Sequence, residues 1–387
     1  MHKQTQAIRI QTAQSLEMEH STPLYLSSSF TFDTAEDMRA AFAEETDDNI
    51  YSRYSNPTVD EFVKKMCVLE GAEAGIATAS GMAAVFNSIF ALLKSGDHLI
   101  CCSSVFGSTH ALATKFLPKY GIECTLVSST KPEEWEAAIK PNTKMVYLET
   151  PTNPQLEIID LEWVGQFSKK HHIIFNVDNC FASPILQNPI DFGADIVSHS
   201  ATKWIDGQGR VLGGVIVGRA DLIRDIYLFC RNTGPSMSAF NAWVLSKSLE
   251  TLDVRLERHC ANALTIATKL EQNEKISWVK YPFLPSHPQY EIAIKQMKKG
   301  GGVLCFELKG GVESGRKFLD ALELLSMTPN LGDTRSIASH PTSTTHSKLS
   351  EPERLAIGIT PGLIRISAGL EHVDDILADI EQALIKC

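Results

Sequence analysis

The sequence has no apolar run long enough to span a bilayer, and its first residues, MHKQTQAIRIQ, include no apolar core of signal-peptide length. Its nine cysteines include no CxxC pair. Several of them lie within apolar runs, which is typical of buried free thiols. From these absences we expect a cytoplasmic protein that does not bind a membrane.

Positive charge is also scarce. Lys and Arg total 36 against 46 for Asp and Glu, which gives a net charge of −10. This balance argues against binding to nucleic acid or to an anionic membrane. The adjacent His171 and His172, and His340 and His346 in a polar segment, have no cysteine or acidic companion at ligand spacing. We therefore expect no metal site.

From residue 72 onward, short apolar segments alternate with helical patterns. The expected strands of this part are 75–78, 98–102, 123–127, 145–148, 173–177, 194–197 and 211–217. Short strands separated by helices predict βαβ crossovers, and hence an α/β fold with a mostly parallel sheet. Ligands of such sheets bind at the carboxyl ends of the strands.

The pattern divides the chain into three regions. Residues 1–56 are polar and irregular apart from one helix signal near 33–42, and we expect them to form an arm against a neighbouring subunit. Residues 57–250 contain the alternating pattern of the large domain. Residues 251–387, with expected strands at 278–281, 303–308 and 363–367, predict a smaller α+β domain. One long helix is predicted over 238–271.

One lysine lies between two apolar runs in the segment 195–218, DIVSHSATKWIDGQGRVLGGVIVG. If this segment forms a strand, a turn and a strand, Lys203 lies at the mouth of two buried strands, beside the hydroxyls of Ser198, Ser200 and Thr202. Most lysines are solvent-exposed and have no special role. This environment instead suits a Schiff-base enzyme, which needs a partly desolvated amine and nearby donors for a phosphate.

Other polar residues also lie at predicted strand or helix ends. Gly81 and Met82 begin a helix whose free N–H groups suit a phosphate, although ordinary N-capping explains them equally well. Asp178 follows a buried strand, where it is either a turn carboxylate or the partner of a heterocyclic nitrogen. Asn153 lies in a proline-rich turn that could present it to a ligand. Arg365 lies in an apolar strand and therefore needs a carboxylate, from the protein or from a substrate.

The segments YSRYSNPT, ASGMAA, ETPTNP, VDN, HSATKW and IRISAGLE occur in the order and spacing of one enzyme family. Over nearly its whole length the chain resembles the Cys/Met-metabolism family of pyridoxal-phosphate enzymes. That family contains cystathionine synthases and lyases, methionine γ-lyases and homoserine-ester sulfhydrylases. The resemblance implies pyridoxal 5′-phosphate as cofactor and an amino acid as the small-molecule substrate. It also implies fold type I of the aspartate aminotransferase superfamily and a homotetramer built from tight dimers.

The resemblance further implies a role for each candidate residue. Lys203 is expected to bind the cofactor covalently and to move protons, and Asp178 to pair with the pyridine nitrogen. The residues expected at the cofactor phosphate are Gly81, Met82, Ser200 and Thr202, with Tyr51 and Arg53 from the adjacent subunit. Those expected at the substrate are Asn153, Arg365, Asn330 and Tyr51. Phe106 is expected over the cofactor ring, where the family usually has a tyrosine.

Within the family, the segments SATKWIDGQGRVLGG, RNTGPSMSAFNAW and NLGDTRSIASHP most resemble the sulfhydrylases of O-succinylhomoserine. Phe106 can stack on a ring, but it cannot donate a proton. A thiol leaving from Cγ benefits from an acid, whereas succinate leaves readily without one. Ser108 also stands where methionine γ-lyases have a cysteine. Both positions favour synthesis over breakdown.

We therefore expect γ-replacement on O-succinylhomoserine by sulfide, which gives homocysteine for methionine biosynthesis. The alternatives are cystathionine γ-synthase, with cysteine as the thiol, and O-acetylhomoserine sulfhydrylase. Cystathionine γ-lyase and methionine γ-lyase are less favoured.

Overall fold

The computed structural model describes residues 1–345, 347–348 and 350–387, and its strands form two sheets. In spatial order, the seven-stranded sheet contains β1 (Ala74–Thr78), β7 (Gly214–Gly218), β6 (Ile196–Ser200), β5 (Ile174–Asp178), β4 (Thr143–Glu149), β2 (His98–Cys102) and β3 (Glu123–Val127). The five-stranded sheet contains β10 (Ser326–Met327), β11 (Ile337–Ser339), β12 (Leu363–Ser367), β9 (Val303–Leu308) and β8 (Ile276–Lys280).

The seven-stranded sheet is mostly parallel. Strands β3, β2, β4, β5 and β6 pair in parallel, and only β7 runs antiparallel to its neighbours β6 and β1. The carboxyl ends of β4, β5 and β6 therefore meet at one edge, where Glu149, Asp178 and Ser200 end their strands. In the five-stranded sheet, β12 runs antiparallel to both β11 and β9.

The helices lie before, between and after these strands. The α-helices in the described residues are α1 (Lys3–Arg9), α2 (Ala35–Phe42), α3 (Pro57–Glu70), α4 (Gly81–Phe90), α5 (Gly107–Ala111), α6 (Pro132–Ala138), α7 (Leu161–His171), α8 (Ser183–Leu186), α9 (Ala220–Thr233), α10 (Ala239–Leu249), α11 (Leu252–Leu270), α12 (Tyr290–Gln296), α13 (Gly311–Ala321), α14 (Glu351–Ala356) and α15 (Val373–Ile385). A π-helical turn (Leu112–Phe116) and 3₁₀ turns (Leu117–Tyr120, Pro189–Phe192) complete the helical segments.

Helix α3 shows how local sequence sets the helix boundaries. Asn56 caps its first turn by accepting a 3.0 Å hydrogen bond from the N–H of Thr58, and Pro57 occupies the first helical position. Gly71 ends the helix in the left-handed region, with φ of 81°. The apolar face of α3 buries Phe62 and Met66 in the core of the large sheet.

The structure confirms the α/β class and the mostly parallel sheet. The single helix predicted over 238–271 is wrong, because α10 ends at Leu249 and α11 begins at Leu252. Helix α1 was not predicted. The three-region division at 1–56, 57–250 and 251–387 stays a prediction. None of the described helices has the length and hydropathy needed to cross a membrane.

Candidate active site

Lys203 lies in the turn that follows β6, and contacts from distant residues fix this turn. The indole N–H of Trp204 donates to the carbonyl of Phe181 at 3.0 Å. From helix α11, the buried guanidinium of Arg255 donates to the carbonyls of Trp204 at 2.7 Å and Ile205 at 3.2 Å. The lysine is therefore presented from a packed turn rather than from a loose surface loop.

The amine of Lys203 is half-buried and directed at the second sheet. Its Nζ donates a 2.7 Å hydrogen bond to the side-chain oxygen of Asn330. Burial lowers the pKa of this amine; the neighbouring Cys180 thiol opposes the shift, and the charge of Arg365 adds to it. A lowered pKa brings the neutral, nucleophilic form of the amine closer to neutral pH.

Two buried carboxyl groups, Glu149 and Asp178, lie side by side because their strand ends pair in register. Asp178 accepts a 2.9 Å hydrogen bond from the N–H of Cys180, and its other oxygen lies 3.5 Å from the hydroxyl of Tyr147. Burial raises the pKa of Asp178, and burial together with the Asp178 charge raises that of Glu149. Glu149 also accepts a 2.7 Å hydrogen bond from the N–H of Phe106. A cation beside Asp178 would offset the cost of its burial.

A helix start and two hydroxyl residues lie next to Lys203. Helix α4 begins at Gly81, where Ser80 caps the first turn, and a Cβ at Gly81 would lie only 2.5 Å from the Cβ of Ser200. The hydroxyl of Thr202 accepts a 3.1 Å hydrogen bond from the N–H of Gly213. A helix N-terminus beside hydroxyl groups is a suitable site for a phosphate.

Arg365 is buried in β12, and its hydrogen bonds go to neutral acceptors. It donates to the side-chain oxygen of Asn153 at 3.0 Å and to the carbonyl of Asn330 at 2.9 Å. Its Nε atom is buried without a hydrogen-bond partner in the described residues. Burial lowers the pKa of the guanidinium to about 10, and Glu149 counteracts this effect. The group is therefore suited to an incoming carboxylate.

The structure thus joins Lys203, Asn330, Arg365 and Asn153 through one chain of hydrogen bonds. Phe106 precedes α5, and this residue is 46% exposed. Met82 lies in the first turn of α4, where its sulfur accepts a 3.9 Å hydrogen bond from the hydroxyl of Thr109.

Tyr51 and Arg53 contact other residues of their own chain. The guanidinium of Arg53 donates to the carbonyl of Arg231 and lies 4.9 Å from the ring centroid of Tyr54 and 5.6 Å from that of Tyr51. The roles of Tyr51 and Arg53 in the site of an adjacent subunit stay predictions.

Sequence reasoning assigned no role to Glu149 or Cys180. Their signals were weak, because Glu149 ends an apolar strand like many capping acids and Cys180 resembles a buried free thiol.

In the part of the chain that the structure describes, no group of three His, Cys, Asp or Glu side chains is arranged to hold a metal ion. His346 lies outside the described residues.

A family model described as "Cys/Met metabolism PLP-dependent enzyme" matches residues 4–385. The chain belongs to this family. Its members use pyridoxal phosphate, so the predicted cofactor is confirmed.

Two relatives illustrate the range of activities in the family. The chain is 44% identical over 380 residues to the O-succinylhomoserine sulfhydrylase of Pseudomonas aeruginosa, in an alignment that covers 98% of this chain and 94% of that protein. It is also 44% identical over 367 residues to the L-methionine γ-lyase of Porphyromonas gingivalis, covering 94% of this chain and 92% of that protein. The relatives therefore divide between a sulfhydrylase and a lyase activity.

Solved structures of similar proteins confirm fold type I. A Campylobacter jejuni protein described as an O-acetylhomoserine (thiol)-lyase, with a pyridoxyl-lysine phosphate, superimposes with a TM-score of 0.96 at 35% identity over the full length of both chains. Cystathionine γ-synthase from Xanthomonas oryzae, in complex with aminoacrylate and cysteine, has a TM-score of 0.94 at 34% identity, covering 100% of this chain and 98% of that chain.

The residues of the site fit pyridoxal phosphate chemically. Lys203 has a half-buried amine that would react with the cofactor's carbonyl carbon. Asp178 supplies a buried carboxylate that a protonated ring nitrogen would neutralise. The start of α4 at Gly81 and the hydroxyl of Ser200 would supply donors for the phosphate, joined by Thr202 if its hydroxyl turns from the carbonyl of Gly213, 3.3 Å away.

Proposed function

We propose that this protein catalyses γ-replacement on O-succinylhomoserine, with sulfide as the nucleophile and with homocysteine and succinate as products. Phe106 carries the proposal. Its backbone N–H donates to Glu149, which pairs in register with Asp178, and the residue is 46% exposed. A phenylalanine here provides no proton for a leaving group, which suits a carboxylate ester better than a thioether.

The other residues account for binding and proton transfer. Pyridoxal phosphate, when bound, supplies the electron sink for charge that develops on the substrate carbon. Arg365 and Asn153 hold the substrate carboxylate. The amine of Lys203, whose pKa is lowered by burial, removes the Cα proton and helps to remove a Cβ proton. The electron pair released at Cβ expels succinate from Cγ as a carboxylate, without help from an acid. Sulfide then forms a bond to Cγ, and protons return to Cβ and Cα to give homocysteine.

The second candidate is methionine γ-lyase activity, which the 44% identity to the P. gingivalis lyase favours. That reaction would release ammonia and a 2-oxo acid from methionine. Cystathionine γ-synthase, a further alternative, would accept cysteine in place of sulfide, and an O-acetylhomoserine sulfhydrylase would prefer the acetyl ester.

A product assay separates these activities. Purified protein with pyridoxal phosphate is offered O-succinylhomoserine or O-acetylhomoserine, each with sulfide or with cysteine, and the amino-acid products are identified by mass spectrometry. We expect homocysteine from the succinyl ester with sulfide as the fastest-formed product. If no homocysteine forms from that pair, the proposal is wrong.

We also propose a cytoplasmic homotetramer that acts in methionine biosynthesis. Large apolar residues are exposed in the N-terminal region, including Leu16 at 100% and Leu26 at 69%, which suits an arm covered by another subunit. Light scattering tests the tetramer. Mixing inactive Arg53→Ala and Lys203→Ala subunits tests the shared site, since mixed dimers would regain activity only if Arg53 acts in the adjacent subunit.

A further inference from the structure

Glu70, the last residue of α3, is fully buried and has no part in the chemistry described above. Its Oε1 accepts two hydrogen bonds, from Nε2 of His199 at 2.6 Å and from Nδ2 of Asn179 at 2.8 Å. Its Oε2 accepts a longer bond, 3.3 Å, from Nδ2 of Asn188. A buried carboxylate is costly unless it is paired in this way, so the cluster forms a closely defined polar unit.

The partners of Glu70 adjoin two site residues. Asn179 directly follows Asp178, and His199 directly precedes Ser200. Strands β5 and β6 are parallel neighbours in which Asp178 pairs with the residue before His199. Side chains alternate along a strand, so His199 lies on the face of the sheet opposite to Ser200. Through Asn179 and His199, one oxygen of the Glu70 carboxylate therefore connects the ends of β5 and β6.

We propose that Glu70 is a positioning residue for the cofactor. Through Asn179 and His199 it holds Asp178 and Ser200 at a fixed separation, so that the partner of the ring nitrogen and a phosphate donor are in place before the cofactor binds. This role is the same for every ester and thiol, and it is therefore independent of the proposed substrate.

The test compares two variants of Glu70 with two matched controls. Glu70→Ala removes all three hydrogen bonds of the carboxylate, whereas Glu70→Gln keeps an acceptor oxygen and removes the charge. The controls are Glu61→Ala and Glu61→Gln, because Glu61 is a buried acid of the same helix that pairs with Lys65 at 3.1 Å. Pyridoxal phosphate is titrated into each apoprotein, its dissociation constant is measured from absorbance, and thermal unfolding is recorded.

We expect Glu70→Ala to weaken cofactor binding by about tenfold or more, the loss typical of hydrogen bonds to a charged group. Glu70→Gln should recover part of this affinity, because it keeps an acceptor oxygen for Asn179 and His199. Both Glu61 variants should bind cofactor within about twofold of the wild type at a similar loss of stability. Wild-type affinity in Glu70→Ala would overturn the proposal, as would wild-type affinity in Glu70→Gln if Glu70→Ala does not fold. Equal weakening in the Glu61 variants would also overturn it.

Discussion

The amine of Lys203 and the side-chain oxygen of Asn330 are joined by a 2.7 Å hydrogen bond. The backbone carbonyl of the same asparagine accepts a 2.9 Å hydrogen bond from Arg365. Asn330 thus connects the lysine that follows β6 with the arginine of β12, across the two sheets. In the proposed mechanism, this connection fixes the Lys203 amine relative to Arg365, the proposed partner of the substrate carboxylate, so that the amine can reach the carbon between them.

Replacement of Lys203 should abolish the reaction. Lys203→Arg retains a positive charge, but a guanidinium does not become a neutral nucleophile near neutral pH. We expect kcat to fall by about a thousandfold or more. Borohydride reduction with the cofactor should label residue 203 in the wild type and not in the variant. The exposed Lys317→Arg serves as control, and a labelled or active Lys203→Arg protein would contradict the assigned role.

Arg365→Lys should mainly weaken substrate binding. A lysine at this position keeps the positive charge. It loses the planar guanidinium, which can donate to Asn153, to Asn330 and to a substrate carboxylate at the same time. We expect KM for the amino-acid substrate to rise by about a hundredfold, with a smaller change in kcat. Steady-state kinetics check this, with Arg335→Lys, on a largely exposed arginine, as control. An unchanged KM would place the substrate carboxylate elsewhere.

Phe106→Tyr should shift the reaction toward elimination of thiols. The added hydroxyl provides an acid near the leaving group, so release of ammonia from methionine should rise by about tenfold or more. Homocysteine formation from the ester should change much less. Both rates are measured in the same preparation, with Phe116→Tyr, also half-exposed, as control. If the lyase rate does not rise, the missing hydroxyl is not what disfavours thioether substrates.

His259 should make the protein less stable in mild acid. Burial lowers the pKa of this histidine from 6.5 to about 4, so the folded state binds fewer protons than the unfolded state between these values. The contribution of neutral His259 to the free energy of unfolding is present above pH 6.5 and is lost as the pH falls toward 4. The free energy of unfolding should fall by on the order of 3 kcal/mol over this range.

Urea unfolding at pH 7.5 and 5 measures this effect. His259→Asn, which retains a donor for the carbonyl of Ala368 but does not titrate, should lose less stability over this range than the wild type. The exposed His20→Asn should behave like the wild type. Equal pH dependence in wild type and His259→Asn would contradict the assignment.

Much of the fold could be predicted because its strands are short apolar runs bounded by polar residues. The bounds predicted for β2, β3, β9 and β12 coincide with those observed. The apolar spacing over 238–271 gave no sign of a break, because Glu250 and Thr251 are compatible with a helix. In the structure, α10 ends before these two residues.

The candidate residues of the site could be proposed where the sequence carries a local signal, but not where their partners are distant. Lys203, Asp178 and Arg365 each stand out against an apolar strand. The environment of Glu70 depends on Asn179 and His199, which are 109 and 129 positions away in the sequence, so its burial could not be anticipated from neighbouring residues.

The most direct test of the proposed function is a comparison of kcat/KM for O-succinylhomoserine with saturating sulfide against kcat/KM for methionine alone. Both are measured on the wild-type holoenzyme, one as homocysteine formed and the other as ammonia released. The proposal predicts that the ester is the better substrate by about a hundredfold or more, because Phe106 gives no proton to a departing thiol. Equal values, or a preference for methionine, would contradict it and assign the protein to the lyases.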